Sequence, residues 1–254
     1  MNNYPISVCL ATYNGDLYLH AQIKSILDQL TSCDELIIVD DCSTDSTVEI
    51  ILSFKDQRIT NLIINKTNMG VNKSFEIAIL QARNEFIYLA DQDDIWVDGR
   101  VAEMNSYLAC SDVSLVAGNS SYIDAKGIAI IYPVTPLKQS DSKKALKNIV
   151  DIFSGRSSYF GCAMAFKKDI VRTILPFPKY VESHDLWIAM ACVLTGSIKH
   201  LENIVLLRRV HGNNVSLVSR PWLKKAWSRF VFMVSIVHIY IRLLSLKPRK
   251  EYAA

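Results

Sequence analysis

The sequence predicts an α/β protein: a mostly parallel, doubly wound sheet flanked by helices, followed by a C-terminal helical extension. Three observations predict it. Apolar runs bounded by polar turns recur through the first ninety residues, as in strands buried on both faces of a parallel sheet. Between these runs apolar residues return at helical spacing, so strand and helix alternate. Half of the 254 residues are apolar, enough for one large domain or two small ones.

The elements follow in order. Ile6 to Ala11 reads as the first strand, broken by Thr12-Tyr13-Asn14-Gly15. Leu19, Ile23, Ile26, Leu27 and Leu30 then share one helical face. Leu36 to Val39 is the second strand and runs into Asp40-Asp41-Cys42-Ser43-Thr44-Asp45. Ser43 or Thr44 is a candidate cap for the helix through Val48, Ile51 and Leu52. Ile59 to Ile64 is the third strand, and Asn68-Met69-Gly70 turns into a helix carrying Val71, Phe75, Ala78, Ile79 and Ala82. The fourth strand, Phe86 to Ala90, ends at Asp91-Gln92-Asp93-Asp94. After a helix over about 97–108 come strands at Val113 to Ala117 and Ile128 to Ile131. Pro133 to Ser142 is a polar loop, expected to be the segment freest to move. Phe160 to Phe166 is a second apolar run; its Gly161 suits close approach to a ligand or another backbone. Glu182-Ser183-His184-Asp185 precedes an apolar helix, Leu186 to Leu194, and Ile204 to Leu207 is the last strand before Arg208-Arg209-Val210-His211-Gly212. The expected division is a body over residues 1–219, with halves 1–96 and 97–219, and a tail over 220–254.

Net charge is +3 overall, but it is unevenly placed. From Arg220 onward eight Lys or Arg face one Glu, a balance of +7, while the preceding residues carry 20 basic and 24 acidic side chains. The body is therefore no nucleic-acid binder, and the basic tail has its own partner. Phe230 to Ile241 is uncharged for twelve residues, short of the roughly 20 that span a bilayer. Lys224, Ser228, Ser235 and Arg242 fall on one helical stripe with Trp, Phe, Ile and Leu elsewhere. That pattern suits either a membrane interface or a helix packed on its own body or on a second copy. The six cysteines have no metal-type spacing and read as reduced thiols, mostly in the core. No charged leader with an apolar stretch opens the chain.

Three polar clusters end three strands of one sheet, at Thr12 to Gly15, at Asp40 and Asp41, and at Asp91 to Asp94. Ligands of open α/β sheets bind at that edge. Packed carboxylates need a positive partner, and hard oxygen ligands suit magnesium or manganese shared with substrate phosphates. An acidic loop capping the next helix is the alternative. A carboxylate at Asp40 or Asp41 can accept from a base imide or a ribose hydroxyl, whereas Asp45 reads better as a helix cap. Asp185 is a candidate general base with Glu182 as fallback, and equally a candidate N-cap. His211, among glycine and asparagines, is a candidate metal ligand or a structural histidine.

In order along the chain stand Thr12-Tyr13-Asn14-Gly15, Val39-Asp40-Asp41-Cys42-Ser43-Thr44-Asp45, Asn68-x-Gly70, Asp91-Gln92-Asp93-Asp94-Ile95-Trp96, His184-Asp185-x-Trp187 and His211-Gly212-Asn213-Asn214-x-Ser216. This ordered set resembles the inverting family 2 glycosyltransferases of GT-A fold, over about residues 6–217. The resemblance implies that Asp91 and Asp93 hold a divalent cation and the sugar nucleotide, that Asp185 is the base, and that His211 touches the metal or the diphosphate. Many relatives have Glu-Asp where this chain has His184-Asp185, which leaves the role of His184 open. The expected site places Thr12, Tyr13, Asn14, Asp40, Asp41, Lys73, Asp91 and Gln92 on the donor nucleotide. Asp94, Trp96, Gly161, His184 and Arg209 stand on the acceptor side or in support, and Asp91, Asp93 and His211 hold Mg2+ or Mn2+. The Asp-Gln-Asp-Asp-Ile-Trp version resembles the bacterial rhamnosyltransferase and O-antigen or capsule branch. That implies dTDP-L-rhamnose as first donor, a UDP-hexose as second, and a lipid-linked saccharide acceptor. The implied location is the cytoplasmic face of the bacterial membrane, bound peripherally, with a homodimer as an option. A non-catalytic subunit of a polysaccharide assembly complex is the alternative reading.

Overall fold

The structure is a computed structural model and describes residues 4–156, 159–212 and 222–246. The elements in chain order are β1 (Ile6–Thr12), α1 (Leu19–Leu27), β2 (Glu35–Asp40), α2 (Thr47–Ser53), β3 (Ile59–Ile64), α3 (Val71–Gln81), β4 (Phe86–Ala90), β5 (Ile95–Trp96), α4 (Arg100–Leu108), β6 (Leu115–Ile123), β7 (Ala129–Ile130), α5 (Ala145–Ser154), β8 (Met164–Lys167), α6 (Val171–Ile174), α7 (His184–Thr195), β9 (Ile198–Arg209) and α8 (Trp222–Leu246). Asn213-Asn214-x-Ser216, the proposed boundary at 219 and the tail beyond 246 lie outside the described residues.

Nine strands form one sheet in the order β3-β2-β1-β4-β8-β6-β9-β5, with β7 on β6. The run β3-β2-β1-β4 is parallel throughout, as the alternation of strands and helices predicts. β8 then pairs antiparallel to both β4 and β6, so the second half of the sheet is mixed.

The apolar runs lack polar alternation because helices cover both faces of the sheet. Side chains alternate across a strand. Cys9, Ile37, Val39, Ile87 and Leu89 therefore pack on one face with Phe75 and Ile79 of α3 and with α7. Val8, Leu10, Leu36, Ile38, Tyr88 and Ala90 pack on the other with Leu19, Ile23 and Ile26 of α1.

Several elements differ from the expectation. β5, only two residues long, carries too little pattern to read; it is held antiparallel to β9. α5, around the charged residues Lys147 and Asp151, is an unread helix. β6 and β9 run well beyond the apolar stretches because the backbone ladder continues through polar positions, Ser120 and Ser121 opposite Leu206 and Leu207, and Arg208 opposite Tyr122. The loop 133–142 is pinned: Asn119 accepts from the Leu137 amide at 2.8 Å and donates to its carbonyl at 3.0 Å. Ser142 Oγ accepts from His200 N at 2.9 Å. Asp45 caps α2 by accepting from Thr47 N, while Ser43 and Thr44 bond elsewhere. Of the six cysteines, Cys9, Cys162 and Cys192 are buried, whereas Cys33 and Cys110 are exposed.

Gly118 marks the tightest contact between β6 and β9. A Cβ there would lie 2.6 Å from Val205 Cγ2 and 2.7 Å from Cγ1. Val205 is 1% exposed and cannot swing out. Gly118→Ala is expected to destabilise the protein by about 1–3 kcal/mol through overpacking. Thermal unfolding reads this, and an unchanged midpoint would show that β9 yields freely.

Candidate active site

β1, β2 and β4 end side by side, with Thr12 level with Asp40 and Leu10 level with Ala90. Their loops therefore meet at one sheet edge, and hydrogen bonds stitch them together. The Gln92 amide accepts from Tyr13 N at 2.7 Å and donates to the Tyr13 carbonyl at 3.0 Å. Gly15 makes room for it, since a Cβ there would collide with that amide. Asn14, at φ 47°, occupies the left-handed region that asparagine tolerates. Its Oδ1 accepts from Thr44 N at 2.9 Å and its N donates to Ser43 Oγ at 2.9 Å. Among the donor-loop side chains the Tyr13 ring is exposed.

Asp40 and Asp41 are 0% and 3% exposed, so they brace the donor edge and do not lie on its surface. Asp40 accepts from Thr12 Oγ1 at 3.0 Å and from Ser43 N at 2.9 Å. Asp41 accepts from Asn65 Nδ2, Met69 N and Gly70 N at 2.7–2.8 Å, fixing the turn into α3. In this way both carboxylates shape the loops at the sheet edge, and Oδ2 of each carries a single one of these bonds, to Ser43 N and Gly70 N.

At the end of β4 the carboxylates crowd. Asp93 Oδ2 lies 2.8 Å from His211 Nε2, joining residues 118 apart in sequence. The His211 ring sits 4.9 Å from that of Tyr18. Asp91, Asp94 and Cys162 bring one ligand atom each within 4.8 Å of one another. Burial, then the charge of Asp93, pushes Asp91 up to about 6. Burial, Asp93 and Asp91 push Asp94 up to about 8. Asp94 Oδ1 accepts from Arg209 N at 3.0 Å, and its buried Oδ2 has no hydrogen-bond partner among the described residues.

This set fits a hard divalent cation. Two ligands of one ion at about 2.1 Å and right angles stand roughly 3 Å apart, close to the Asp93–His211 spacing. The crowded carboxylates are in a state that positive charge would relieve. The Cys162 thiol, a soft ligand, is the exception. Burial first, then the charges of Asp94 and Asp91, raise its pKa well above the usual thiol value, which favours a neutral thiol beside this cluster.

Asp185 lies in the first turn of α7, where Ser183 is the N-cap residue and accepts from Leu186 N. The N-cap alternative for Asp185 is therefore taken by its neighbour. Asp185 Oδ1 accepts from Leu186 N at 2.8 Å and from Ser183 Oγ, while Oδ2 faces the amide of Gly161 at 3.4 Å. His184 points the other way. It is 7% exposed, its Nδ1 lies 3.1 Å from Asn72 Oδ1, and its ring packs 4.3 Å from Phe75. Burial lowers its pKa, against the charge of Asp185, so it is a neutral core histidine beneath Gly161. A Cβ at Gly161 would lie 2.9 Å from His184 Nε2, which explains the glycine.

Other expected residues lie elsewhere. Lys73 forms an ion pair with Glu76, whose other oxygen accepts from Phe177 N. Trp96 is 3% exposed and stacks on the Arg100 guanidinium at 4.2 Å, which suits the supporting place among those expected of it. Glu182 accepts from Ser228 of α8, away from Asp185's partners. Arg209 spends its side chain on the Asp93 and Asp124 carbonyls at 2.9 and 3.1 Å and lies over the Tyr18 ring.

The segment 160–162, of which the sequence analysis names Gly161 alone as a site residue, is a hub. Phe160 carries the Arg208 guanidinium at 3.9 Å, Gly161 meets Asp185, and Cys162 meets Asp91 and Asp94. Arg100, pushed down to about 10 by burial, donates to the Cys162 carbonyl at 2.7 Å. Burial opposes the charge of Arg208, yet Cys162, Asp91 and Asp94 outweigh it and raise its pKa. Arg208, adjacent to the expected Arg209 but on the opposite strand face, is the cation that answers the acidic cluster.

Comparison with known proteins agrees with this geometry. The chain is 32% identical over 148 residues to the Escherichia coli UDP-Glc:alpha-D-GlcNAc-diphosphoundecaprenol beta-1,3-glucosyltransferase WfgD, covering 58% of this chain and 57% of that relative. It is 28% identical over 187 residues to the dTDP-rhamnosyl transferase RfbG of Shigella flexneri, covering 68% and 57%. The matches thus span little more than half the length of these relatives. Staphylococcus aureus TarS 1-349 in complex with UDP-GlcNAc superposes with a TM-score of 0.69 at 17% identity, over 95% of this chain and 73% of that one. The Pyrobaculum calidifontis mannosyltransferase PcManGT with GDP-Man and Mn2+ gives 0.60 at 15% identity, over 94% and 74%. The fold is therefore GT-A. The description "Glycosyl transferase family 2" matches residues 7–175, two thirds of the chain and every element from β1 to α6, and the chain belongs to that family of glycosyltransferases.

Proposed function

We propose that this glycosyltransferase moves a sugar from a nucleotide donor to a hydroxyl of a lipid-linked saccharide, with inversion, in bacterial surface polysaccharide synthesis. The observation that carries the reading is the Asp93–His211 pair at the donor edge, with Asp185 across the 160–162 segment. The loop of Thr12, Tyr13 and Asn14, fastened by Gln92 and braced by Asp40 and Asp41, forms the nucleotide edge, where the exposed Tyr13 ring offers a face to the base. Asp91, Asp93 and His211 would hold Mg2+ or Mn2+, which when bound supplies positive charge to the departing diphosphate. Asp185 accepts the proton of the acceptor hydroxyl as that oxygen bonds to the anomeric carbon and the bond to the diphosphate breaks. Arg208 holds the acidic cluster together, and Gly161 N steadies Asp185. His184 acts through packing.

Two donor classes stand in the relatives' names: the Asp-Gln-Asp-Asp-Ile-Trp motif and RfbG support dTDP-L-rhamnose, and WfgD supports a UDP-hexose. The acceptor reading is supported by the diphosphoundecaprenol in the name of WfgD, and with it goes the proposal that the enzyme works on the inner face of the cell membrane. Release of nucleoside diphosphate across a panel of sugar nucleotides is expected to single out one donor, with dTDP-L-rhamnose first. Release from none of them, with Mn2+ or Mg2+ and lipid-linked acceptor present, would favour the non-catalytic subunit.

A further inference from the structure

α8 is amphipathic in the reverse sense for a helix packed on a water-soluble domain. Its polar stripe faces inward. Ser235 is 3% exposed, Ser228 bonds Glu182, and Arg242 donates to the Thr173 and Pro176 carbonyls at 3.0 and 2.7 Å. His238 Nδ1 meets the Tyr180 hydroxyl at 2.6 Å. Val231, Phe232 and Ile239 bury beside them. The outward face is apolar: Phe230, Met233, Val237, Tyr240, Ile241 and Leu244 are each 48–59% exposed. The helix holds no Asp or Glu, and Lys224, Lys225 and Arg229 flank the apolar face near its start.

α5 extends this surface. Leu146, Val150 and Phe153, at helical spacing on one face, are 79%, 45% and 38% exposed. The two helices touch: Phe153 and Phe232 ring centroids are 5.4 Å apart, and Arg229 donates to the Ser154 carbonyl at 3.2 Å. Neither helix can turn its apolar stripe away from water without breaking these anchors.

We propose that α5 and α8 together form a platform that lies flat on an anionic bilayer, apolar stripes in the interface and the Lys224–Arg229 end on lipid phosphates. The proposal rests on the reading of a lipid-linked acceptor for its purpose, but not for its geometry. Three features select a lipid surface as occupant. The apolar face has basic flanks and no acid on α8, it carries interfacial aromatics at Trp222, Trp227 and Tyr240, and a second helix shares it. By length and composition α8, 25 residues with a mean hydropathy of 1.7 over its most apolar stretch, is also long enough to cross a membrane. The inward contacts of Ser228, Arg229, His238 and Arg242 hold it against the body instead.

The test uses the 254-residue chain with vesicles of phosphatidylcholine, with and without phosphatidylglycerol. Flotation is expected with both and stronger with the anionic lipid, and high salt should release only part of the protein. Phe230→Glu with Val237→Glu on α8, and separately Leu146→Glu with Val150→Glu on α5, should each lower the partition coefficient by about tenfold or more. Thermal midpoints and nucleoside diphosphate release from the donor should stay unchanged, since all four side chains are exposed and outside the site. Loss of release in the wild type would sink the functional reading while leaving flotation to judge the platform. Wild-type protein that stays unbound overturns the proposal, and a dimer in solution that the Glu variants dissociate would then assign the face to a second copy. Flotation insensitive to the α5 pair, or resistance of bound protein to alkaline carbonate extraction, also overturns it.

Discussion

Asp185→Asn is expected to cut turnover by about 10²–10⁴-fold, the usual contribution of a positioned general base. The amide has nearly the same size, and its oxygen can still accept from Leu186 N, as Asp185 Oδ1 does at 2.8 Å. What disappears is the basic oxygen that faces Gly161 N. Donor affinity, measured by calorimetry, and the thermal midpoint should be little changed, which separates lost chemistry from lost structure. Normal turnover would remove Asp185 as the base. Glu182, the fallback, is then poorly placed, because its carboxylate is bonded to Ser228 on α8.

The second large effect is expected from Asp93→Ala and, independently, from chelation. An ion that neutralises the leaving diphosphate contributes several kcal/mol, so losing it should slow transfer by about 10³-fold or more at 1.4 kcal/mol per factor of ten. Asp93→Ala also strips His211 of its 2.8 Å partner. Restored Mn2+ should rescue chelated wild type and not the variant, with product formation as the readout. Full activity in excess EDTA would end the metal-assisted reading. A variant that fails only in thermal stability would make Asp93 a structural carboxylate.

Much of the first half was legible because its strands are short, mostly apolar and separated by helices of clear period. The edges of β3 and β4 fall where the pattern changes, and the convergence of three loop clusters follows from parallel strands alone. The second half reads poorly for physical reasons. β5 is two residues long, and the far ends of β6 and β9 carry polar residues that only their backbone pairing holds in the sheet. α5 shows a stripe toward water, so its pattern does not announce a buried face. At the site, Asp93 and His211, far apart in sequence, are brought within 2.8 Å, and Asp185 stands in the first turn of its helix facing Gly161 N. What residue type did not announce is the burial of Asp40 and Asp41, which brace the loops, and of Trp96, which packs on Arg100. Arg208 was hidden by its neighbour: two adjacent arginines on a strand point to opposite faces, and only the pairing of β6 with β9 tells which one meets the acids. The importance of Cys162 has no sequence signal beyond the glycine beside it.

The pairing of Asp93 with His211 also bears on how the protein comes into being. Every contact within β1 to β4 can form once about ninety residues have left the ribosome, because those strands neighbour one another in sequence and in space. Domains begin to fold from the N-terminal side during synthesis. His211 follows β9, which reaches its place only by pairing in parallel with β6 and antiparallel with β5. These are long-range contacts of the kind that form slowly. A growing chain would thus hold the shaped edge with Asp91 and Asp93 well before His211 joins them, and an unfinished or prematurely terminated product would lack that third proposed ligand. The Asp93–His211 contact arrives with the last strand, as a single late event in the maturation of the chain.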